Sequence, residues 1–119
     1  MDPRIYPLDF SPVLRRYVWG GRRLETILGR SLPPGTVAES WEISGHPTAP
    51  TPVASGYWQG HTLPAVVAAL GTELLGANSQ SSLRRSRFPL LVKLLDASAN
   101  LSVQVHPNDA YAASHEGGE

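Results

Sequence analysis

The chain contains no cysteine in its 119 residues. Without thiols it can form neither a disulfide framework nor a thiolate metal site, so any bound metal would depend on histidine, carboxylate or amide ligands. Lysine and arginine together number 10, and aspartate and glutamate also number 10. This balance gives no net field to attract nucleic acid or an anionic membrane, so we expect the partners to be small molecules.

Long apolar runs are also lacking. No run approaches the roughly 20 residues that span a bilayer, and no basic start leads into an apolar stretch as in a signal peptide. We therefore expect a cytoplasmic protein without a membrane partner. The length allows one small domain with one modest core, and since no internal repeat is evident we expect residues 1–119 to form a single domain.

Eleven prolines and eleven glycines divide the chain into short segments. This pattern favours strands joined by tight turns, so the predicted fold is mainly β with short helical excursions. The predicted strands are 37–44, 90–95 and 101–106, with a hairpin over 52–58. The strand 90–95 is apolar on both faces, which predicts that it is buried. The predicted helices are 22–28, ended by Gly29, then 63–70 with Thr62 as N-cap, and 72–75. Residues 77–87 are predicted to be a loose loop, in which Arg84, Arg85 and Arg87 form a solvated charge run.

The predicted strand 101–106 carries polar side chains on one face. Strand side chains alternate, so Ser102, Gln104 and His106 point one way, opposite to the apolar residues between them. Gln104 and His106 would lie roughly 7 Å apart and could converge on one metal ion if the longer Gln104 side chain reaches toward His106. The pattern is equally typical of a solvent-exposed strand face that ends at Pro107.

Three other residues could carry chemistry. Lys93 is the only lysine and lies inside the apolar run 90–95, where it could serve in proton transfer or as a counter-charge to an anion. Its structural alternative is a stem packed in the strand with the ammonium reaching water. Glu39 and Trp41 share a face of the strand 37–44, and their alternatives are a rim salt bridge and core packing.

Seven stretches of the chain, in order, resemble the N-terminal part of type I phosphomannose isomerases, which are zinc-dependent enzymes with a cupin barrel. These stretches are 17–21, 24–29, 38–47, 62–63, 74–76, 88–96 and 101–107. Each is weak alone, but together they cover nearly the whole chain. The resemblance implies a partial cupin-like jelly-roll barrel.

The resemblance also implies a function. It implies reversible interconversion of mannose 6-phosphate and fructose 6-phosphate through a zinc-stabilised enediol. Zinc would be the cofactor, with Gln104 and His106 as ligands and Lys93 as a catalytic residue, and Glu39 and Trp41 would line the substrate pocket. Members of the family take a glutamate, a second histidine and an arginine from later in the sequence. We therefore expect the chain to be truncated before the remaining ligands and to be inactive alone.

One alternative from a different class stays open at this point. A cupin-like sugar-binding or regulatory protein would keep the shape of the site without turnover. A metal-dependent cupin with other chemistry, such as an oxygenase, usually has more histidine ligands than this chain offers. Turnover of a sugar phosphate by the complete gene product separates the enzyme from the binding protein.

Overall fold

Three short strands form an antiparallel sheet in this computed structural model, which describes residues 1–79, 82 and 87–115. The strands are β1 (Val13–Arg15), β2 (Glu39–Ser44) and β3 (Leu91–Leu95), and β2 lies in the centre. The predicted strands at 37–44 and 90–95 are thus confirmed within one or two residues. Of the predicted loop, residues 80, 81 and 83–86 lie outside the described residues, and with them Arg84 and Arg85.

Four short helices accompany the sheet in the described part of the chain. They are α1 (Arg23–Thr26), α2 (Leu63–Leu70), α3 (Thr72–Leu75) and α4 (Asp109–His115). After α1 the chain turns at Gly29, whose φ of 66° suits glycine and whose N–H donates to the Glu25 carbonyl at 2.9 Å. Thr62 is the N-cap of α2 as predicted, although its side chain makes no capping hydrogen bond. The first three helices were predicted from the sequence, and α4 was not.

The buried apolar cluster lies between α2 and the chain that precedes it. Helix α2 buries Leu63, Val66, Val67 and Leu70, the spacing of one helix face. Two of these residues, Val66 and Leu70, pack with Val53 and Trp58, and partly buried residues from positions 6, 8, 10 and 74 cover the cluster. This apolar cluster therefore packs against α2. The side chains of the three strands are not part of it.

The predicted hairpin over 52–58 is wrong. Val53 forms an isolated bridge with Phe10, and Pro52 forms another with Thr62. The Val53 N–H donates to the His61 carbonyl, and the Gly60 N–H donates to the Val53 carbonyl, both at 2.9 Å. The hydrogen bond between Gly60 and Val53 closes a turn that is wider than Ser55-Gly56 alone. This turn contains Trp58, which packs in the core.

Strand β3 is exposed, against the prediction that it is buried. Leu91 and Val92 are each 43% exposed and Leu95 is 53% exposed. Within the described residues, β3 is an edge strand whose one partner is β2. An apolar sequence favours a strand, but burial of both faces requires a covering layer, which the described residues do not provide.

The predicted strand 101–106 does not form. Residues 101–108 have no regular secondary structure, and Val103 and Val105 are 98% and 90% exposed. Alternating side chains are compatible with an extended chain, but a strand exists only where a neighbouring strand accepts its backbone hydrogen bonds. No such neighbour pairs with this segment among the described residues.

Within the part of the chain that the structure describes, no helix is long and apolar enough to cross a membrane.

Candidate functional site

One face of the sheet brings together three of the residues singled out from the sequence. Trp41 pairs with Lys93 across β2 and β3, and Glu39 precedes Trp41 by two residues on the same strand face. Arg15 lies opposite Glu39 on β1, so it shares this face. We call Arg15, Glu39, Trp41 and Lys93 the β2 cluster.

Glu39 is the acceptor at the centre of the β2 cluster. Its residue is 6% exposed, and both carboxylate oxygens have donors. The Trp41 indole Nε1 donates to Oε2 at 2.6 Å, and the Lys93 ammonium Nζ donates to Oε1 at 3.0 Å. A buried carboxylate is stable only when it is hydrogen-bonded and paired with a cation, and here Trp41 and Lys93 supply both.

Lys93 is neither deeply buried nor simply extended into water. Its side chain is 33% exposed, so it is not deeply buried in the strand, and its ammonium pairs with Glu39 and does not simply extend into water. The ammonium lies 5.7 Å from the centre of the Trp41 ring, within cation–π range. A cation held by a buried carboxylate and partly open to solvent can contact a ligand without a large rearrangement.

Two further side chains approach the Trp41 ring. The Arg15 guanidinium carbon lies 5.5 Å from its centre, and the His46 ring meets it edge-on at 5.8 Å. The Thr48 backbone N–H donates to Nδ1 of His46 at 3.2 Å, so Nδ1 acts as an acceptor. His46 is therefore fixed by the turn that follows β2, which agrees with a structural role.

The second carboxylate of β2 points away from the cluster. A bulge between Trp41 and Ile43 removes Glu42 from the regular pairing with β3. The Glu42 carboxylate instead accepts from the Ser40 hydroxyl at 2.7 Å and from the Arg30 guanidinium at 2.9 Å. Strand alternation places Glu42 on the face of Ser40, opposite to Glu39, and the ammonium of Lys93 pairs with Glu39.

Asp96 anchors the end of β3, a role that sequence reasoning missed. The residue is 3% exposed, and its carboxylate accepts from the Arg23 N–H at 2.6 Å and from the Ser98 hydroxyl at 3.0 Å. The Ser98 and Ala99 N–H groups both donate to the Trp19 carbonyl, at 2.8 and 3.2 Å. The turn at Trp19 therefore holds the chain directly after the strand that carries Lys93.

Glycines at positions 20 and 21 let this turn approach so closely. A Cβ on Gly20 would lie 2.7 Å from Ala38 Cα, and a Cβ on Gly21 would lie 2.9 Å from Asp96 Oδ2. The residues that make this contact were visible in the sequence, as Trp-Gly-Gly at 19–21 and as Asp96 directly after the apolar run 90–95. Only the fold shows that the two stretches touch.

The predicted metal ligands lie outside the β2 cluster. Gln104 and His106 are both exposed, and the Gln104 amide nitrogen donates to the Ser102 hydroxyl at 3.2 Å. This bond shows that Ser102 and Gln104 point to one side, as the alternation predicted. Within the described residues, neither Gln104 nor His106 makes a hydrogen bond or ion pair with Glu39, Trp41 or Lys93. The structure therefore does not bring the two halves of the expected site together.

The donor chemistry of Gln104 and His106 suits zinc, which accepts imidazole nitrogen and oxygen ligands. Zinc sites usually have three or four protein ligands. Among residues 1–79, 82 and 87–115, no group of three or more histidine, aspartate or glutamate side chains is placed to hold a metal ion. Gln104 and His106 are ligands of a type that zinc accepts. Two ligands are too few to form a zinc site without others.

The fold that carries the β2 cluster has counterparts among known proteins. The chain belongs to the family of phosphomannose isomerase type I catalytic domains, whose sequence profile matches residues 8–117. This confirms the resemblance inferred from the seven stretches.

Individual relatives cover nearly all of the chain. It is 44% identical over 111 residues to a mannose-6-phosphate isomerase from Streptococcus mutans, an alignment that covers 93% of this chain and 33% of that protein. The structure matches the mannose 6-phosphate isomerase from Bacillus subtilis with a TM-score of 0.82 and 39% identity, over 95% of this chain and 34% of the other. A phosphomannose isomerase from Salmonella typhimurium matches with a TM-score of 0.71 and 25% identity, over 92% of this chain and 28% of that one. The chain spans about a third of the length of the curated relatives it matches.

Proposed function

We propose that the complete gene product containing these residues is a mannose-6-phosphate isomerase, which interconverts mannose 6-phosphate and fructose 6-phosphate. The observation that carries the proposal is the family match over residues 8–117 together with a solvent-accessible lysine paired to a buried glutamate on one sheet face. In this proposal residues 1–119 are the N-terminal part of a longer catalytic domain, and the sheet belongs to a cupin-like barrel.

The reaction moves a proton between two adjacent carbons next to a carbonyl, through an enediol. Such a reaction needs a group that transfers a proton and a positive charge near the developing oxygen charge. Lys93 can supply both, because its ammonium is a donor that is partly open to solvent. Glu39 would hold that ammonium in place, and Trp41 would form an apolar wall beside it.

We propose zinc as the cofactor and Gln104 and His106 as two of its ligands. When bound, zinc would supply Lewis-acid stabilisation of oxygen charge. Both side chains are exposed on an unpaired segment, so ligands from elsewhere can reach them without displacing core residues. A cytoplasmic location stays a prediction from the sequence.

The proposal is tested by assaying the complete gene product and the 119-residue chain in parallel with mannose 6-phosphate. We expect turnover by the complete product, loss of turnover with a chelator and recovery with added zinc, and no turnover by the short chain. Binding of the sugar phosphate by the zinc-loaded complete product without turnover would favour the sugar-binding protein instead.

Lys93 is tested in the same assay with two substitutions. Lys93→Arg keeps the positive charge and the pairing with Glu39, but arginine stays protonated and cannot transfer a proton. We expect it to preserve the melting temperature and to lower turnover about 100-fold, the effect of losing a general acid or base. Lys93→Met also removes the charge and should be at least as inactive. Near-normal turnover of both variants would refute an active-site role for Lys93.

A further inference from the structure

We infer that Arg15 is an anion-binding residue that holds the phosphate group of the substrate beside Lys93. The identification of the anion as a phosphomonoester depends on the proposed function, whereas the anion site itself depends only on the geometry of the β2 cluster. Nothing in the sequence pattern singled out Arg15, which lies just before the stretch 17–21.

The first observation concerns the hydrogen-bond partners of the Glu39 carboxylate. Arg15 is directly opposite Glu39 in the register of β1 and β2, the position from which oppositely charged side chains usually pair. Neither oxygen of Glu39 accepts from Arg15. Oε2 accepts from Trp41, and Oε1 accepts from Lys93, which is diagonal to it on β3. Both acceptor oxygens are therefore already engaged.

The second observation is that the Arg15 guanidinium retains its donors. It makes no hydrogen bond or ion pair with any described residue, and its central carbon lies 5.5 Å from the centre of the Trp41 ring. An arginine stacked on an aromatic ring is oriented by it and keeps the edge of its planar fork free. That fork matches the oxygens of a phosphate with two parallel hydrogen bonds.

The third observation is the charge of the β2 cluster. Arg15 and Lys93 are two cations that approach the same ring, and Glu39 is the only acid of the cluster, so one positive charge is in excess. An anion placed between the two cations would neutralise this excess. Arg15 would bind the phosphate, while Lys93 would remain near the sugar carbons that exchange a proton.

The experiment measures anion binding directly and does not depend on turnover. The 119-residue chain, labelled with ¹⁵N, is titrated at constant ionic strength with inorganic phosphate, mannose 6-phosphate and mannose. The Trp41 indole N–H resonance, assigned with Trp41→Phe, reports on the site because Arg15 and Lys93 both contact this ring. We expect a saturable shift with inorganic phosphate and with mannose 6-phosphate, and none with mannose.

Arg15→Gln should weaken the binding of inorganic phosphate at least about tenfold, the effect of losing a hydrogen bond to a charged group. Arg16→Gln is the matched control, because the Arg16 guanidinium donates to the Pro34 carbonyl and does not contact Trp41. It should bind phosphate as the unchanged chain does. Arg15→Lys, which keeps the charge without the fork, should give an intermediate affinity and provides a second variant if Arg15→Gln does not fold.

Two results would overturn the inference: no saturable shift with either phosphate compound, or equal affinity in the Arg15 variants and the unchanged chain. Failure of the proposed function is a separate result. If the complete gene product does not isomerise the sugar while phosphate binding still depends on Arg15, the isomerase proposal is wrong and the anion site stands.

Discussion

Replacing Glu39 by glutamine should reveal how strongly the β2 cluster couples its two neighbouring strands. The carboxylate accepts one hydrogen bond on each oxygen, from Trp41 at 2.6 Å and from Lys93 at 3.0 Å. An amide has a single oxygen, so one of the two donors must face an NH₂ group and lose its acceptor. We expect the amide oxygen to stay with the indole, because Lys93 can turn into water and Trp41, at 8% exposure, cannot.

The size of the effect follows from this exposure. A hydrogen bond to a charged group contributes about 1.5–3 kcal/mol when it is buried, and exposed ion pairs contribute about 0.2–1 kcal/mol. With the Lys93 side chain one-third exposed, Glu39→Gln should lower the free energy of unfolding by about 1 kcal/mol. Lys93→Met should cost more, about 2 kcal/mol, because it leaves a buried carboxylate without its cation.

The double variant distinguishes pairing from unrelated effects. Glu39→Gln with Lys93→Met contains no buried charge, so it should be more stable than the sum of the two single effects predicts, by about 1 kcal/mol. Urea unfolding of the 119-residue chain, followed by tryptophan fluorescence, measures all four proteins. Additive losses would show that the pair contributes no coupling and would refute the assignment of Lys93 as the counter-ion of Glu39.

Two further predictions concern the proposed metal and the Trp19 turn. In the complete gene product, metal analysis should find about one zinc per chain. His106→Ala should lose most of it, Gln104→Ala should weaken binding less, and Ser102→Ala on the same side of the segment should retain it. Full zinc occupancy in the His106 variant would remove the ligand assignment. In the 119-residue chain, Gly20→Ala should lower the melting temperature more than Gly29→Ala, since a Cβ on Gly20 meets backbone atoms of positions 37 and 38 at 2.7 Å. At Gly29 the added Cβ has open space and costs only about 1–2 kcal/mol for a positive φ. Equal melting temperatures for the two variants would contradict the close approach.

Local signals in the sequence predicted the elements whose causes are local. Helix α2 follows from apolar side chains on one face, from the Thr62 cap position and from Pro64 in the first turn. Strand β2 follows from its β-branched and aromatic content, and the alternation along it places Glu39 and Trp41 on one face. Their contact with Lys93 could not be predicted, because it depends on the register between two strands that are about fifty residues apart.

The errors have a common physical origin. Burial of β3 and pairing of residues 101–106 both depend on neighbours that local sequence does not specify. The side chains at 101, 103 and 105 alternate as in a strand, yet Leu101 is 46% exposed and the two valines more so. A backbone ladder requires a second strand, and an apolar face is buried only when something packs on it.

The distance between Lys93 and the proposed zinc ligands is therefore set in two stages. In the first stage, Asp96 bonds the Arg23 N–H, and the Ser98 and Ala99 N–H groups bond the Trp19 carbonyl, so the chain is fixed as far as residue 99. In the second stage, we expect a pairing strand to set the position of residues 101–106, because no hydrogen bond in the described residues ties this segment to the sheet. The cation of the proposed site is thus positioned by residues of this chain, whereas we expect the proposed ligands Gln104 and His106 to face Lys93 only once a partner strand pairs with their segment.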